Sequence, residues 1–348
     1  MRPTAAHTSA RRNDGPGSVE VVCKDRPVSA SSVPFSPGAP DVFAAGLLGA
    51  IDVDAGPTPE QLAVLEAFIR HVWHVPELAL ETVTPLAAAE VSNRLPDDDA
   101  RLRFCEMAMV LELCRHPQSM TQVERVEEYV DALGVSGIEL ETTRTAIERG
   151  AAVVAEDLER TYREILPEIS ELRLRDRYLT LDAPDPALAQ RLRALHDLPP
   201  GTLGHAYVEF YRRNGLTLPG DDTHLPAHYV NHDMNHVITG YEPTAPGEVA
   251  RSGFLFAANA SRHNWMEFLL TLSIHESGVL THGDIRAKFA TLGRAGVAEL
   301  LGEALDRGQH CTVDLPSIDH LAIAAEPLAE IRERFHIVPL ARPMVTDD

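Results

Sequence analysis

The chain of 348 residues has little positive charge. Its 31 lysine and arginine residues face 52 aspartate and glutamate residues, so the formal net charge is −21 at pH 7. Lysine itself is almost absent, since only Lys24 and Lys288 occur. Nucleic acids and anionic membrane surfaces attract positive charge. The acidic excess therefore excludes a sequence-independent nucleic-acid-binding surface, and we expect no nucleic-acid partner.

Cysteine and long apolar runs are also scarce. The four cysteines, Cys23, Cys105, Cys114 and Cys311, form no C-x-x-C pair and no disulfide-framework pattern. No run of about eighteen apolar residues occurs, and the first residues lack an apolar secretory region. We therefore expect a cytoplasmic protein in reducing surroundings, with peripheral attachment to a membrane left open.

Helical periodicity is what the sequence has in abundance. Apolar residues recur at helical spacing, as in Leu62, Leu65 and Phe68, and no segment alternates in the manner of a strand. We predict an all-α protein with two helical domains, the second carrying a metal site between consecutive helices. The predicted divisions are a disordered tail rich in Ser, Pro, Gly and Ala (1–40), a first domain (41–172) and a second domain (173–348).

Capping residues give the expected helix starts. Thr58 before Pro59 predicts a start at residue 59, and Pro96 with Asp97 predicts another just beyond. Further helices are predicted from Thr121 to Gly134, from about Ile138 to Ile165, over Ala187–Leu195 and Thr202–Asn214, and from about Asp284 to Arg307.

A cluster of histidines dominates the second half. His224, His228, His232 and His236 follow one another at a spacing of four. On a helix, the last three span roughly 80° of the surface, and Asp233 lies about 60° from His236. His232, Asp233 and His236 can therefore converge on one point.

Glu248 follows a Gly/Pro break and could close this cluster. Two imidazoles and two carboxylates suit a divalent transition metal, and zinc, iron and manganese all remain open. The alternative is a row of solvated histidines on an acidic helix. Pro226 suits a first helical turn, so His224 is expected to precede the regular helix.

Polar neighbours of these four residues are candidates to support them. Asn231, Asn235, Tyr241 and His228 lie close to the ligands in sequence. His228 is expected to be such a partner and not a ligand. For each of the four, the alternative is an ordinary exposed or capping side chain.

The segment His232-Asp233-x-x-His236, followed by eleven residues and Glu248, resembles the HDxxH-x11-E signature of the coenzyme Q (ubiquinone) biosynthesis protein 4 family. Upstream, Pro200-Gly201-Thr202-Leu203-Gly204 with Tyr207 is also similar to that family, as is Gly240-Tyr241. The resemblance covers roughly residues 180–340.

This resemblance implies an all-α fold, a role in making a prenylated quinone, and a divalent metal held by His232, Asp233, His236 and Glu248. It also implies association with prenyl lipids and with other biosynthetic proteins. The apolar side chains that would then line a substrate pocket are Leu203, Tyr207, Phe254, Phe256 and Phe268, with core packing as the alternative for each.

The helices between about residues 60 and 140 resemble the TerB-like (tellurite-resistance-type) helical module. The acidic inter-helix loop of that family is replaced here by His116-Pro117-Gln118-Ser119. We therefore expect packing or interaction, and not metal binding, from this half.

Three functions are compatible with these features. The first is a metal-dependent enzyme that modifies an aromatic acid or quinone precursor, by oxidative decarboxylation with hydroxylation of the ring carbon, in ubiquinone-like or specialised-metabolite biosynthesis. The second is a non-catalytic, prenyl-lipid-binding scaffold around a structural metal. The third, an HD-type phosphohydrolase, would need His196 or His205 together with Asp284. The expected partners are an aromatic or prenylated small molecule, with biosynthetic proteins and self-association left open.

Overall fold

The computed structural model describes residues 39–135, 160, 171, 173–174, 184–221, 227–280 and 287–340. Within these ranges the chain forms twelve α-helices and no β-strand, which confirms the predicted all-α class. The predicted tail lies outside the described residues except at its end, where the first helix begins at Pro40. The predicted division at residues 172/173 and the predicted helix from Ile138 to Ile165 fall in a stretch that is largely outside them, so both stay predictions.

The first half contains five α-helices. They are α1 (Pro40–Ile51), α2 (Pro59–Ala67), α3 (Ala88–Arg94), α4 (Asp98–Leu113) and α5 (Met120–Leu133), with a π-helical turn after α2 (Phe68–Val72) and a 3-10 turn (Leu80–Thr82). Thr58 caps α2 in a capping box with Gln61, as the Thr-Pro start predicts. Helix α5 begins one residue before the predicted start, because the Ser119 hydroxyl accepts a hydrogen bond from the Gln122 amide and acts as the cap.

The second half contains seven α-helices. They are α6 (Pro186–Ala194), α7 (Leu203–Asn214), α8 (Tyr229–Thr239), α9 (Ala245–Ala258), α10 (Arg262–His275), α11 (Val297–His310) and α12 (Leu328–Arg334), with 3-10 turns at Leu195–Asp197 and Leu315–Ser317. The predicted start of α11 near Asp284 is wrong. Residues 287–290 are irregular, residues 291–296 form bends and turns, and Gly296 at φ +79° precedes the first helical residue. A left-handed residue of this kind interrupts a helix whatever the apolar spacing around it.

Two hydrophobic cores hold these helices, and two helices belong to both. The first core combines the helices of the first half with one side of α9, α10 and α11, for example Phe256, Phe268 and Leu301. The second core gathers α6–α8, α12 and the other side of α9 and α11, including Phe254 and Leu300. The position of α9 is therefore fixed from two sides.

Helices α9 and α11 approach closely because glycines face the contact. A Cβ atom at Gly253 would lie 2.7 Å from the Leu301 Cδ1 atom. A Cβ atom at Gly308 would press against the backbone oxygen of Phe254, closer than van der Waals contact allows.

No helix among the described residues is long and apolar enough to span a membrane.

We expect Gly308→Ala to lower the free energy of unfolding by about 1–3 kcal/mol, because the new methyl group meets backbone and cannot be accommodated by a side-chain rotation. An alanine in place of a helical glycine would otherwise stabilise the protein by about 1 kcal/mol. Gly253→Ala is the matched control, since the flexible end of Leu301 can move aside, and we expect a change under about 1 kcal/mol. Denaturant unfolding of both variants measures the difference, and equal stability would contradict the close-packing account.

Candidate metal centre

The predicted ligands are presented by the end of one helix and the start of the next. Helix α8 places His232 and His236 one turn apart, and Gly240 in the left-handed conformation ends it. After a short loop, Thr244 caps α9 and Glu248 lies in the first turn of that helix. The short connection folds the carboxylate of Glu248 back onto the two imidazoles.

The imidazole and carboxylate atoms converge as the spacing predicts. The Nε2 atoms of His232 and His236 are 3.2 Å apart. An oxygen of Glu248 lies 3.4 Å from His232 Nε2, and the other lies 3.1 Å from His236 Nε2. Asp233 Oδ1 is 3.9 Å from His232 Nε2. His232, Asp233 and His236 each offer one ligand atom within 4.8 Å of the others.

These separations match a metal's first coordination sphere. A tetrahedral ion with metal–nitrogen bonds of about 2.0–2.1 Å has ligand atoms about 3.3 Å apart. The contacts among His232, His236 and Glu248, at 3.1–3.4 Å, cluster around that value. The donor set therefore fits a divalent ion.

The proton on His236 is placed so that the imidazole can bind a cation. Its Nδ1 atom is 3.0 Å from the backbone carbonyl oxygen of Tyr241, which can only accept a hydrogen bond. Nδ1 therefore carries the proton, and the lone pair lies on Nε2, toward Glu248. Burial lowers the pKa of His236, against the opposing effect of Glu248, so that the neutral imidazole is favoured.

Asp233 is held from the core side by Tyr211 of α7. The buried Tyr211 hydroxyl donates a hydrogen bond to Asp233 Oδ2, which leaves Oδ1 on the side of His232. Burial raises the pKa of Asp233, and the nearby His232 and His236 oppose that rise. Burial also acts to raise the pKa of Glu248, but the two imidazoles outweigh it and hold that pKa well below its usual value.

A buried ion pair completes the cluster. Arg251, one turn after Glu248, donates to Glu267 Oε1 of α10 at 2.6 Å and lies 3.6 Å from Glu248 Oε2. With all carboxyl groups ionised and both imidazoles neutral, Asp233, Glu248 and Glu267 against Arg251 leave two negative charges. Buried charge is stable only when compensated, and a divalent cation would balance this excess.

A small polar cavity adjoins His232 on the side away from Glu248. Its volume is about 270 Å³, including space open to solvent. The side chains that line it are His228, Asn231, His232, Asn235, Arg251, Glu267 and Pro316. Pro316 is its one apolar wall, so the cavity suits a polar group better than a hydrocarbon chain.

The predicted supporting residues take different places around the ligands. Asn231 donates to the Pro316 carbonyl, and Asn235 donates to the Asn231 Oδ1 atom. His228 lines the cavity with them. Tyr241 contributes its backbone oxygen to His236, while its hydroxyl accepts from Arg307.

Tyr207 and the other apolar candidates lie in the cores. Tyr207 is fully buried and its ring is 5.0 Å from that of Tyr211, so one side chain separates it from Asp233. The remaining candidates, Leu203, Phe254, Phe256 and Phe268, are at most 1% exposed and pack within the two cores. These side chains form the body of the fold and do not line the polar cavity. His224 lies outside the described residues.

A second group of possible ligands, His196, His205 and Glu209, occurs at the start of α7. Here Arg212 Nη1 already lies 2.6 Å from His196 Nε2 and 2.9 Å from Glu209 Oε1. The guanidinium neutralises Glu209, so this group has no charge that a metal ion would balance. His196 and His205 stack on each other, with ring centroids 4.5 Å apart, and Asp284 lies outside the described residues.

Sequence reasoning missed Tyr211, Arg251 and Glu267. Tyr211 looks like one more member of an apolar stripe, because nothing local shows that its hydroxyl reaches α8. Arg251 follows Glu248 by three residues, a spacing at which side chains on a helix meet, and this signal could have identified it. Glu267 comes from the next helix and has no local signal.

Comparison with known proteins finds similarity over a short stretch of the chain. The chain is 34% identical over 77 residues to the mitochondrial ubiquinone biosynthesis protein COQ4 of Podospora anserina, covering 18% of this chain and 25% of that protein. COQ4 of Ajellomyces dermatitidis and of Blastomyces gilchristii are each 36% identical over 77 residues, covering 18% of this chain and 26% of theirs. The predicted resemblance is thereby confirmed, although the chain spans only about a quarter of the length of these relatives. No family model matches the chain.

Among solved structures, a crystal structure from Nostoc punctiforme, provisionally named a ubiquinone biosynthesis protein, is 19% identical. The alignment covers 67% of this chain and 96% of that one, with a TM-score of 0.31. A superposition of this quality carries no conclusion about the present chain.

We expect Tyr211→Phe to weaken Zn²⁺ binding about tenfold, because Asp233 loses the hydrogen bond that fixes its carboxylate. Loss of the bond should also destabilise the metal-free protein by about 1–3 kcal/mol. Tyr129→Phe is the matched control, since the Tyr129 hydroxyl donates to the Leu86 carbonyl within the first core. Calorimetric Zn²⁺ titration and thermal melting of both variants measure the effects. Equal Zn²⁺ affinity in the two would show that Tyr211 supports only the fold.

Proposed function

We propose that the protein is a metal-dependent enzyme that acts on an aromatic acid or quinone precursor in ubiquinone-like or specialised-metabolite biosynthesis. The proposed reaction is an oxidative decarboxylation, in which the ring carboxylate leaves as carbon dioxide and a hydroxyl group takes its place. Such an exchange is a two-electron oxidation, for which dioxygen is the simplest oxidant. Water then supplies the hydroxyl oxygen, and dioxygen takes up the two electrons and two protons and leaves as hydrogen peroxide.

The observation that carries this proposal is the convergence of His232, His236 and Glu248, with Asp233 on their flank, in a buried setting with excess negative charge. The similarity to COQ4 supports the pathway, because that name assigns those relatives to ubiquinone biosynthesis. The similarity covers a small part of either chain. The substrate and the reaction are those that the resemblance of the HDxxH-x11-E segment implies, and the donor set is compatible with them.

The residues around such a centre would have different roles. Zn²⁺, Fe²⁺ or Mn²⁺ bound there would act as a Lewis acid toward a substrate oxygen, and iron would in addition support oxygen chemistry. His236 supplies Nε2 in a fixed tautomer, and Asp233 is oriented by Tyr211. Arg251 lies beside Glu248 and would hold it in place while limiting the negative charge of the pocket.

An enzyme is favoured over a purely structural metal site by the exposure of the cluster. The His236 side chain is fully buried, whereas those of His232 and Glu248 are 22% and 19% exposed. A small molecule can therefore approach one edge of the donor set. Structural zinc sites are closed, whereas catalytic ones keep a position for water or substrate.

The scaffold remains the second candidate. It is favoured by the cavity beside His232, where Pro316 alone among the described lining residues is apolar, since a prenyl chain would then have to bind elsewhere on the protein. Under this proposal the metal would only brace α8 against α9, and no reaction would depend on it.

We expect purified protein to hold about one equivalent of Zn²⁺, Fe²⁺ or Mn²⁺, and His236→Ala to lose it, because the variant removes a buried donor. His205→Ala, which alters the other histidine group, should keep the wild-type metal content, because Arg212 supplies the positive charge there. Elemental analysis of the three proteins measures this. Loss of metal from His205→Ala but not from His236→Ala would place the site elsewhere.

We further expect metal-loaded protein to release labelled carbon dioxide from carboxyl-labelled 2- or 4-hydroxybenzoate in air, with the hydroxylated ring as co-product. Asp233→Asn should slow the release at least tenfold, since a neutral amide binds a cation more weakly than a carboxylate does. Scintillation counting and mass spectrometry follow the two products. Release at the same rate without an oxidant would make the oxidative reaction wrong, and no turnover of any hydroxybenzoate, alongside a tightly held metal, would favour the scaffold.

A further inference from the structure

The Nδ1 side of His232 faces two buried side chains of opposite charge. Arg251 Nη2 lies 3.1 Å from Nδ1, and Glu267 Oε1 lies 3.9 Å from it. The two form an ion pair of 2.6 Å that joins α9 to α10. Arg251 is 1% exposed and Glu267 is 8% exposed, so both side chains are buried.

These two groups make opposite demands on the imidazole of His232. A guanidinium only donates hydrogen bonds, so its contact with Nδ1 requires a lone pair there and places the proton of a neutral ring on Nε2. A carboxylate only accepts, so a bond from Nδ1 to Glu267 requires the proton on Nδ1 and leaves the lone pair on Nε2. Nε2 is the atom that faces Glu248 and His236.

The contrast with His236 shows why this matters. The backbone carbonyl of Tyr241 fixes the tautomer of His236 whether or not a cation is present. His232 has no such fixed partner, because its Nδ1 atom stands between a donor and an acceptor. A cation at Nε2 excludes the proton from that atom, and the proton on Nδ1 then needs an acceptor.

We propose that Glu267, anchored by Arg251, is the positioning residue that accepts the Nδ1 proton of His232 and holds this ligand in its metal-binding tautomer and orientation. The inference rests on the proposed metal centre and extends it to a carboxylate from a third helix. Closing 3.9 Å to an ordinary hydrogen bond takes about 1 Å, and Arg251 Nη2, now 3.1 Å from Nδ1, must withdraw from that atom at the same time. In carboxylate–histidine–metal arrangements of this kind, mutation of the carboxylate typically weakens metal binding about 10- to 100-fold.

The competing explanation is that Glu267 and Arg251 merely tie α9 to α10. Glu106 of α4, which pairs with Arg103 on the same helix, controls for the loss of a buried carboxylate, and thermal melting of the metal-free Glu267→Gln protein measures the loss of the tie between α9 and α10. Glu267→Gln and Glu106→Gln each neutralise the acidic partner of a buried ion pair. Only the first of them alters the surroundings of His232.

The test measures Zn²⁺ affinity of the full chain by competition with a chromophoric chelator, together with thermal melting of the metal-free protein. We expect Glu267→Gln to weaken binding about tenfold, since an amide oxygen is a weaker acceptor, and Glu267→Met about 100-fold, since no acceptor remains. Glu106→Gln should stay within about twofold of wild type. The absorption spectrum of the Co²⁺-loaded protein should change in Glu267→Gln and not in Glu106→Gln.

The proposal is overturned if Glu267→Gln folds and binds Zn²⁺ as wild type does with an unchanged Co²⁺ spectrum, or if both glutamate variants weaken binding equally. Glu267→Gln keeps the shape of the side chain and decides the question if Glu267→Met fails to fold. If wild-type protein binds neither Zn²⁺ nor Co²⁺, the metal centre itself is wrong and the proposal falls with it. If the wild type binds metal and Glu267→Gln binds it with the same affinity, only the role of Glu267 is refuted.

Discussion

The structure depends on how a surplus of buried acid around two imidazoles is compensated. Asp233, Glu248 and Glu267 converge on His232 and His236, and among the described residues Arg251 supplies the one guanidinium that the ion pairs place beside them. Uncompensated charge of this kind is costly in a protein interior, so the fold either takes up a cation or moves protons onto these groups. Burial raises the pKa of Asp233, whereas the two imidazoles oppose that rise.

This arrangement is held by a helix that cannot shift easily. Helix α9 carries Glu248 and Arg251 on its first turns, and its later residues enter both hydrophobic cores through Phe254 and Phe256. Gly253 and Gly308 let α11 approach it closely, so its position is set by backbone contacts as well as by side chains. The first half of the chain therefore helps to place the site even though it supplies none of the ligands.

Features that depend on residues close together in the sequence could be predicted from the sequence. The Thr58 cap, and the convergence of His232, His236 and Glu248, follow from spacing along one or two helices. The start of α11 could not be predicted in this way, because the left-handed backbone at Gly296 overrides the apolar period. Side-chain contacts between different helices could not be predicted for a different reason. Neither the Tyr211 hydroxyl nor the Glu267 carboxylate differs in sequence from an ordinary core or surface residue.

The two histidine groups of this chain show why ligand spacing alone does not identify a metal site. His205 and Glu209 are separated by four residues, as are His232 and His236, and each group gathers three donor atoms within 4.8 Å. In the first group Arg212 contacts both His196 and Glu209, so its charge is already balanced. In the second, Arg251 is shared between Glu248 and Glu267, and it cannot also offset Asp233. Charge balance, which depends on residues outside the motif, is therefore the reason for proposing the second group and not the first as the metal site.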